Sequence, residues 1–220
     1  MWTFAKQKRY DDFNSFMKIY LIRHGESLAN LGLVSADFSM DNQNSLSQKG
    51  ENQIRAFIPA FQNCNIMRIF SSPMKRAVKS SEILQSSLVN KPKIMIDSRL
   101  KEIDYGIFTD DRDNPEMQNI AKKQIAGDQE IRFGGGENIR EILERFLGFL
   151  VDTYKKNQND EIVVFSHGRL LSIVSKKIEE LCQKKIKKSK IENTSIIEVE
   201  LNSDEIISLK TYLNTLKSQF

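Results

Sequence analysis

Four short apolar runs punctuate this chain, and between them the apolar residues return at helical rather than alternating spacing. The runs are KIYLIR (18–23), MRIFSS (67–72), KIMID (93–97) and EIVVFSH (161–167). In the first, positions 19–22 are apolar without a break. That suits a strand covered on both faces, as in a parallel sheet, rather than one with a wet side. Helical patterns run through about 48–61, 74–88 and 168–181. The clearest follows Gly136, where Ile139, Ile142, Leu143, Phe146, Leu147 and Leu150 fall on one stripe. Strands alternating with helices imply right-handed crossovers and a sheet sandwiched between helical layers. The expected fold class is therefore α/β, a three-layer α/β/α sandwich with a mostly parallel central sheet. In open sheets of this kind, ligands bind beyond the carboxyl ends of the strands.

No Pro/Gly/Ser-rich linker or internal repeat divides the 220 residues. The expected organisation is a polar N-terminal extension over 1–17 and a single domain over 18–220. Within it, the polar stretch 107–135, with one helical segment, is expected to form a lid over the strand ends, where specificity would reside. The closing segments TSIIEVEL and EIISLKTYL, separated by NSDE, read as two more strands in an antiparallel hairpin at a sheet edge.

A chain that is 40% apolar and 28% charged is an ordinary globular composition. Its apolar runs fall far short of the ~20 residues of a membrane span. The start, MWTFAKQKRYDDFNSF, has no apolar h-region, so a cytoplasmic location is expected. Cys64 and Cys182 lack metal-ligand spacing and read as free thiols in a reducing compartment. Net charge is a mild +4, and seven lysines lie between Lys176 and Lys190. No aromatic residue interleaves them, so they read as a solvated face and helix end rather than a nucleic-acid site.

The chain holds two histidines, and both end strand-like runs in the same context: Arg23-His24-Gly25 and Ser166-His167-Gly168. A following glycine lets backbone approach a ligand closely. A zinc site would need three or four closely spaced ligands, and each histidine here has an arginine nearby that repels a cation, so no metal is expected. Arginines instead offer planar, paired donors to phosphate oxygens. A neutral imidazole nitrogen is a competent nucleophile toward phosphorus, and neighbouring cations stabilise the group in transfer. Arg76, in SSPMKRA where a strand passes into a helix, sits where the helix dipole disfavours a cation and so suggests an anion nearby. Ser166 does not sit in a G-x-S-x-G elbow, which leaves a serine-hydrolase reading weak.

These residues are where the sequence resembles the histidine phosphatase superfamily, also called phosphoglycerate-mutase-like. LIRHGESLAN (21–30) resembles its RHGxxxxN signature, and LSQKG (46–50), SSPMKRA (71–77), LKEIDYG (100–106), GGEN (135–138), FSHG (165–168) and NTSI (193–196) follow in the family's order. The resemblance covers about 18–200. It implies that His24 becomes phosphohistidine, while Arg23, Arg76 and His167 clamp the phosphoryl oxygens. Glu102 would protonate the leaving alkoxide and then activate water, a contribution of about 10²–10⁴ in rate; Asp104 is the alternative acid. Asn30 would hydrogen-bond the phosphate, with Ser27, Tyr105 and Gly168 lining the substrate side. No cofactor is implied.

Two departures bear on the reaction. The family's phosphatases often have a second glycine after the acid, where this chain reads GIFTD, and its mutases usually read ERHYG, where this chain reads EIDYG. Asp110, Asp111 and Asp113 follow, relieved only by Arg112, a poor setting for an anionic phosphoglycerate. The expected function is hydrolysis of phosphomonoesters, with a phosphoglycerate-type mutase, or a catalytically weak regulatory or interaction relative, as alternatives. The expected partner is a small phosphorylated substrate, with neither nucleic acid nor membrane. Edge-strand pairing or helix docking would allow a homodimer.

Overall fold

The computed structural model describes residues 15–36, 43–111, 113–125, 127–191 and 194–218. Positions 1–14 of the expected extension and Arg112 lie outside the described residues. The described strands are β1 (Phe16–Arg23), β2 (Ile66–Ser71), β3 (Ile94–Ile96), β4 (Glu161–Ser166), β5 (Lys187–Ile191) and β6 (Thr194–Asn202). They form one sheet in the order β3-β2-β4-β1-β6-β5. The first four are mutually parallel, β6 runs antiparallel to β1, and β5 antiparallel to β6. The described helices are α1 (Gln48–Phe57), α2 (Lys75–Ser87), α3 (Pro115–Ile125), α4 (Ile139–Tyr154), α5 (Gly168–Leu181) and α6 (Ser203–Lys217).

Alternation along the central strands explains their unbroken apolar runs. Ile19 and Leu21 of β1, with Ile162 and Val164 of β4, face a core completed by α4, α5 and α6. Tyr20 and Ile22, with Val163 and Phe165, face the other core, completed by α1 and α2. Both faces are dry, so every position demands an apolar side chain, each contributing about 1.5–3 kcal/mol when fully buried. Together the two cores make the three-layer sandwich. No helix among the described residues is long and apolar enough to cross a membrane.

The expected C-terminal hairpin is not formed. TSIIEVEL is β6, but EIISLKTYL belongs to α6. The turn-like NSDE is a helix start: the Asn202 side chain accepts from Glu205 N at 3.0 Å, and the Glu205 carboxylate accepts from Asn202 N at 2.8 Å. That reciprocal cap satisfies donors a helix start would otherwise leave open. Ile206, Leu209, Leu213 and Leu216 then bury one stripe at helical spacing. The hairpin partner of β6 is β5, which carries part of the lysine-rich segment expected at a helix end. Lys187 pairs with Glu198 at 2.7 Å and Lys188 with Glu179 at 3.1 Å. Lysines on an edge strand discourage pairing with another chain. The helical pattern over 48–61 stops short at Phe57 and tightens into a 3₁₀ turn over Ile58–Phe61, where Pro59 supplies no amide hydrogen.

Candidate active site

Strand register brings the two histidines together. Arg23 of β1 pairs with Ser166 of β4, and His24 N donates to Ser166 O at 3.1 Å, so His24 and His167 leave the sheet side by side. Their ring centroids are 5.1 Å apart with planes inclined at 62°. The chain leaving β1 goes to α1 on one face, while the chain leaving β4 enters α5 on the other, which opens a crevice between them. The end of β2 joins them: Ser72 N donates to Phe165 O at 3.0 Å, and two residues of chain later α2 presents Arg76 in its first turn.

Two glycines hold this corner. A Cβ on Gly25 would lie 2.3 Å from Gly50 O, and one on Gly50 would lie 2.0 Å from Glu26 O. The start of α1 therefore rests directly on the backbone that carries His24. The glycine of LSQKG is there for space.

Hydrogen-bond partners fix the protonation pattern of both rings. His24 Nδ1 lies 2.6 Å from Gly25 O, which only accepts, so Nδ1 carries the proton. Its Nε2 receives the Arg76 Nε–H at 3.2 Å, so Nε2 presents its lone pair. His167 Nδ1 sits 3.4 Å from Arg76 Nη2, a donor, and thus accepts, which leaves Nε2–H to donate to Ser72 Oγ at 2.8 Å. His167 is fully buried, and burial first, then the Arg76 charge, holds its pKa well below the ordinary imidazole value. It is neutral at pH 7.

Around the rings lies a cleft of about 630 Å³ whose walls include Arg23, His24, Arg76, Glu102 and Gly168. The Arg23 side chain crosses the start of α5 so tightly that a Cβ on Gly168 would come within 3.1 Å of its Nε. Ser27 and Asn30 also line the cleft. Asn30 Oδ1 accepts from Ser27 N at 3.0 Å and Ser27 Oγ at 3.2 Å, which turns the amide donors of Asn30 away from that turn. Glu102 Oε1 accepts from Ile103 N at 3.0 Å and from Leu170 N, at the start of α5, at 3.2 Å. Oε2 makes no hydrogen bond within the described residues.

Of the two candidate acids, only Glu102 reaches the cleft. Asp104 is exposed, and its carboxylate accepts from Gly106 N at 2.8 Å. Tyr105, expected on the substrate side, is instead 3% exposed in the core with its ring 5.2 Å from Phe133. The chain turns sharply just after it, at Gly106 (φ 53°). The segment 107–135 stands as a wall of the cleft: it supplies Thr109, Asp110 and Asp113 to the lining and anchors through Met117, Ile120 and Phe133 in the core.

Three contributors were not singled out by sequence reasoning. Ser72 orients His167, and it lay within the recognised SSPMKRA stretch. Arg145 of α4 donates to Arg99 O at 2.6 Å, Lys101 O at 2.9 Å and the Glu137 carboxylate at 2.7 Å, pinning the loop that carries Glu102. No local signal marks it. Arg169 lines the cleft immediately after the second HG pair, a position that could have flagged it.

The family model of the histidine phosphatase superfamily (branch 1) matches residues 19–214. The probable phosphoglycerate mutase GpmB of Salmonella choleraesuis (strain SC-B67) is 25% identical over 192 residues, 86% of this chain and 87% of that protein. Among solved structures, phosphoglycerate mutase from Bacillus anthracis str. Sterne superposes with a TM-score of 0.67 at 18% identity, covering 94% of this chain and 100% of its own. A mycobacterial glucosyl-3-phosphoglycerate phosphatase superposes at 0.60 with 20% identity, over 76% of this chain and 81% of its own. At these identities the structural likeness speaks to the fold alone, and the fold is phosphoglycerate-mutase-like.

Proposed function

The chain belongs to branch 1 of the histidine phosphatase superfamily, and on that premise we propose that it is a phosphatase hydrolysing phosphomonoesters through a phosphohistidine on His24. The observation that carries this reading is the tautomer of His24: Nδ1–H bound to Gly25 O leaves the Nε2 lone pair toward the cleft. In the first step Nε2 bonds to phosphorus as the bond to the ester oxygen breaks, and Glu102 in its acid form gives its proton to the departing alkoxide. Arg23 and Arg76 take the phosphoryl oxygens, with Asn30 as a further donor, and His167 joins them once the incoming oxyanion lets its Nδ1 take up a proton from solvent. In the second step water adds to phosphorus, Glu102 takes its proton, and the P–N bond returns its electron pair to Nε2. Oriented cations that need no reorganisation are the main source of acceleration in such a transfer.

A mutase shares the first step and differs in what the phosphohistidine meets next. The names of several relatives favour that second reading, whereas Asp110 and Asp113 in the cleft wall disfavour a multiply anionic phosphoglycerate. Turnover of p-nitrophenyl phosphate to free phosphate, lost in His24→Ala, is the test. Isomerisation of phosphoglycerate without net phosphate release would give the mutase reading precedence. The free Cys64 and Cys182 support placing the protein in the reducing cytoplasm.

A further inference from the structure

Beyond the phosphoryl clamp, the same cleft presents charges of both signs that the phosphate does not engage. The Arg169 side chain makes no hydrogen bond within the described residues, and its Nε is buried without a partner. Asn44 is 1% exposed, and its Oδ1 accepts from Ala29 N at 3.1 Å. Its Nδ2 is likewise buried and unpartnered at the cleft wall. On the acidic side stand Asp110 and Asp113. Asp110 is engaged, accepting from Ser35 Oγ at 2.5 Å and Ala36 N at 2.7 Å. The carboxylate of Asp113 accepts nothing within the described residues.

Buried unpartnered donors and an exposed carboxylate lining one cleft suit a ligand that is itself of mixed charge. An alcohol bearing only a carboxylate would satisfy Arg169 but bring like charge to Asp110 and Asp113. One bearing only an ammonium would pair with Asp113 and leave Arg169 and Asn44 unanswered. A neutral alcohol would answer neither. The buried donors of Arg169 and Asn44 carry a desolvation cost that a matching ligand removes, while the exposed Asp113 selects by charge, since a mismatched ligand adds repulsion.

Building on the phosphatase reading, we propose that the leaving alcohol is dipolar: an O-phosphorylated hydroxy amino acid whose carboxylate meets Arg169, with Asn44 as a further donor, and whose ammonium meets Asp113. The probes are O-phosphoserine, 3-phosphoglycerate (carboxylate, hydroxyl in place of the ammonium), O-phosphoethanolamine (ammonium, no carboxylate) and propyl phosphate (neither). Each is titrated calorimetrically into the His24→Ala protein, which binds without turnover, and used as a competitor of p-nitrophenyl phosphate in the unmodified protein. Phosphoserine is expected to bind about tenfold to a hundredfold tighter than each singly charged probe. Arg169→Leu should erase its advantage over phosphoethanolamine, and Asp113→Asn its advantage over phosphoglycerate. Equal affinities, no measurable binding, tightest binding by a singly charged probe, or a ranking unmoved by both variants would overturn the proposal. Because binding is read in a protein that cannot turn over, these outcomes are separate from the p-nitrophenyl phosphate assay. Turnover with an undifferentiated ranking removes this inference alone.

Discussion

The Arg76 guanidinium and the His24 imidazole share a hydrogen bond of 3.2 Å in which the arginine Nε donates to the histidine Nε2. The acceptor is the nitrogen whose lone pair the proposed transfer needs. Arg76 thus holds that lone pair in line until a phosphoryl group arrives and its oxygens take over the N–H groups. The same side chain reaches His167 Nδ1 at 3.4 Å, so one guanidinium sets the spacing of both rings.

Arg76→Lys should therefore be costly despite preserving charge. A lysine ammonium is a point donor and cannot serve two rings and an oxyanion through a planar fork. The expected loss in kcat/KM toward p-nitrophenyl phosphate is about 100-fold, of the order of the 2–3 kcal/mol carried by charged hydrogen bonds. A lysine variant within a few-fold of the parent would remove Arg76 from the clamp.

Glu102→Gln separates proton donation from phosphoryl binding. The amide cannot give a proton, so substrates with alkyl leaving groups should slow by about 10²–10⁴. p-Nitrophenyl phosphate, whose leaving group needs little help, should slow far less. Asp104→Asn should leave this leaving-group dependence as it was, because that carboxylate is turned onto Gly106 N. Equal losses for both substrate types in Glu102→Gln would argue that the residue only shapes the cleft.

What the sequence made legible followed from local rules, and what it concealed followed from packing. β1 and β4 were readable because burial on both faces leaves their centres, 19–22 and 162–165, apolar without a break, and β2 through the shorter buried run of Ile69 and Phe70. His24 and His167 were readable because each ends such a run. Their convergence depends on the strand order that sets β4 beside β1, which no local pattern encodes. EIISLKTYL was misread because its apolar content suits a strand, yet the Asn202–Glu205 cap was present in the letters and should have outweighed it. Resemblance sets Tyr105 at the substrate, whereas its ring packs on Phe133 in the core. Arg145 was invisible, since its role is to hold carbonyls of a loop more than forty residues away in sequence.

The contact between Gly50 and Glu26 gives a prediction in which two effects oppose. Within a helix, replacing glycine by alanine ordinarily stabilises by about 1 kcal/mol. At Gly50 the new Cβ would lie 2.0 Å from Glu26 O, a backbone atom two residues from His24. The clash wins: Gly50→Ala should destabilise by about 3 kcal/mol and lower kcat as His24 is displaced. Gly148, within α4, is the control, because a Cβ there would meet only Arg99 Nη1 at 4.0 Å. Gly148→Ala should be neutral or stabilising. Urea midpoints and p-nitrophenyl phosphate turnover decide both, and matching behaviour of the two variants would contradict the packing argument.

The buried His167 makes stability fall on the acid side of neutrality. In the unfolded chain its imidazole takes a proton near 6.5, while in the folded protein burial, and after it the Arg76 charge, push that protonation to much lower pH. Between the two values the unfolded state binds one proton more. Unfolding is therefore increasingly favoured as pH drops below 6.5, by up to about 1.4 kcal/mol per pH unit. Above 6.5 the ring is neutral in both states and contributes no slope. Asp152, held low by its hydrogen bond from Arg99, acts in a separate window, because its stabilisation is lost only as pH falls below its ordinary 3.8. Urea unfolding between pH 5 and 8, window limits set at about one unit around the imidazole and carboxylate ranges, should thus show a slope in the unmodified protein that is shallower in His167→Gln. Saturating vanadate should also flatten it, since an oxyanion beside the ring favours the protonated form. Parallel profiles for the two proteins would mean that His167 titrates alike folded and unfolded, which its enclosure between Ser72 and Arg76 does not allow.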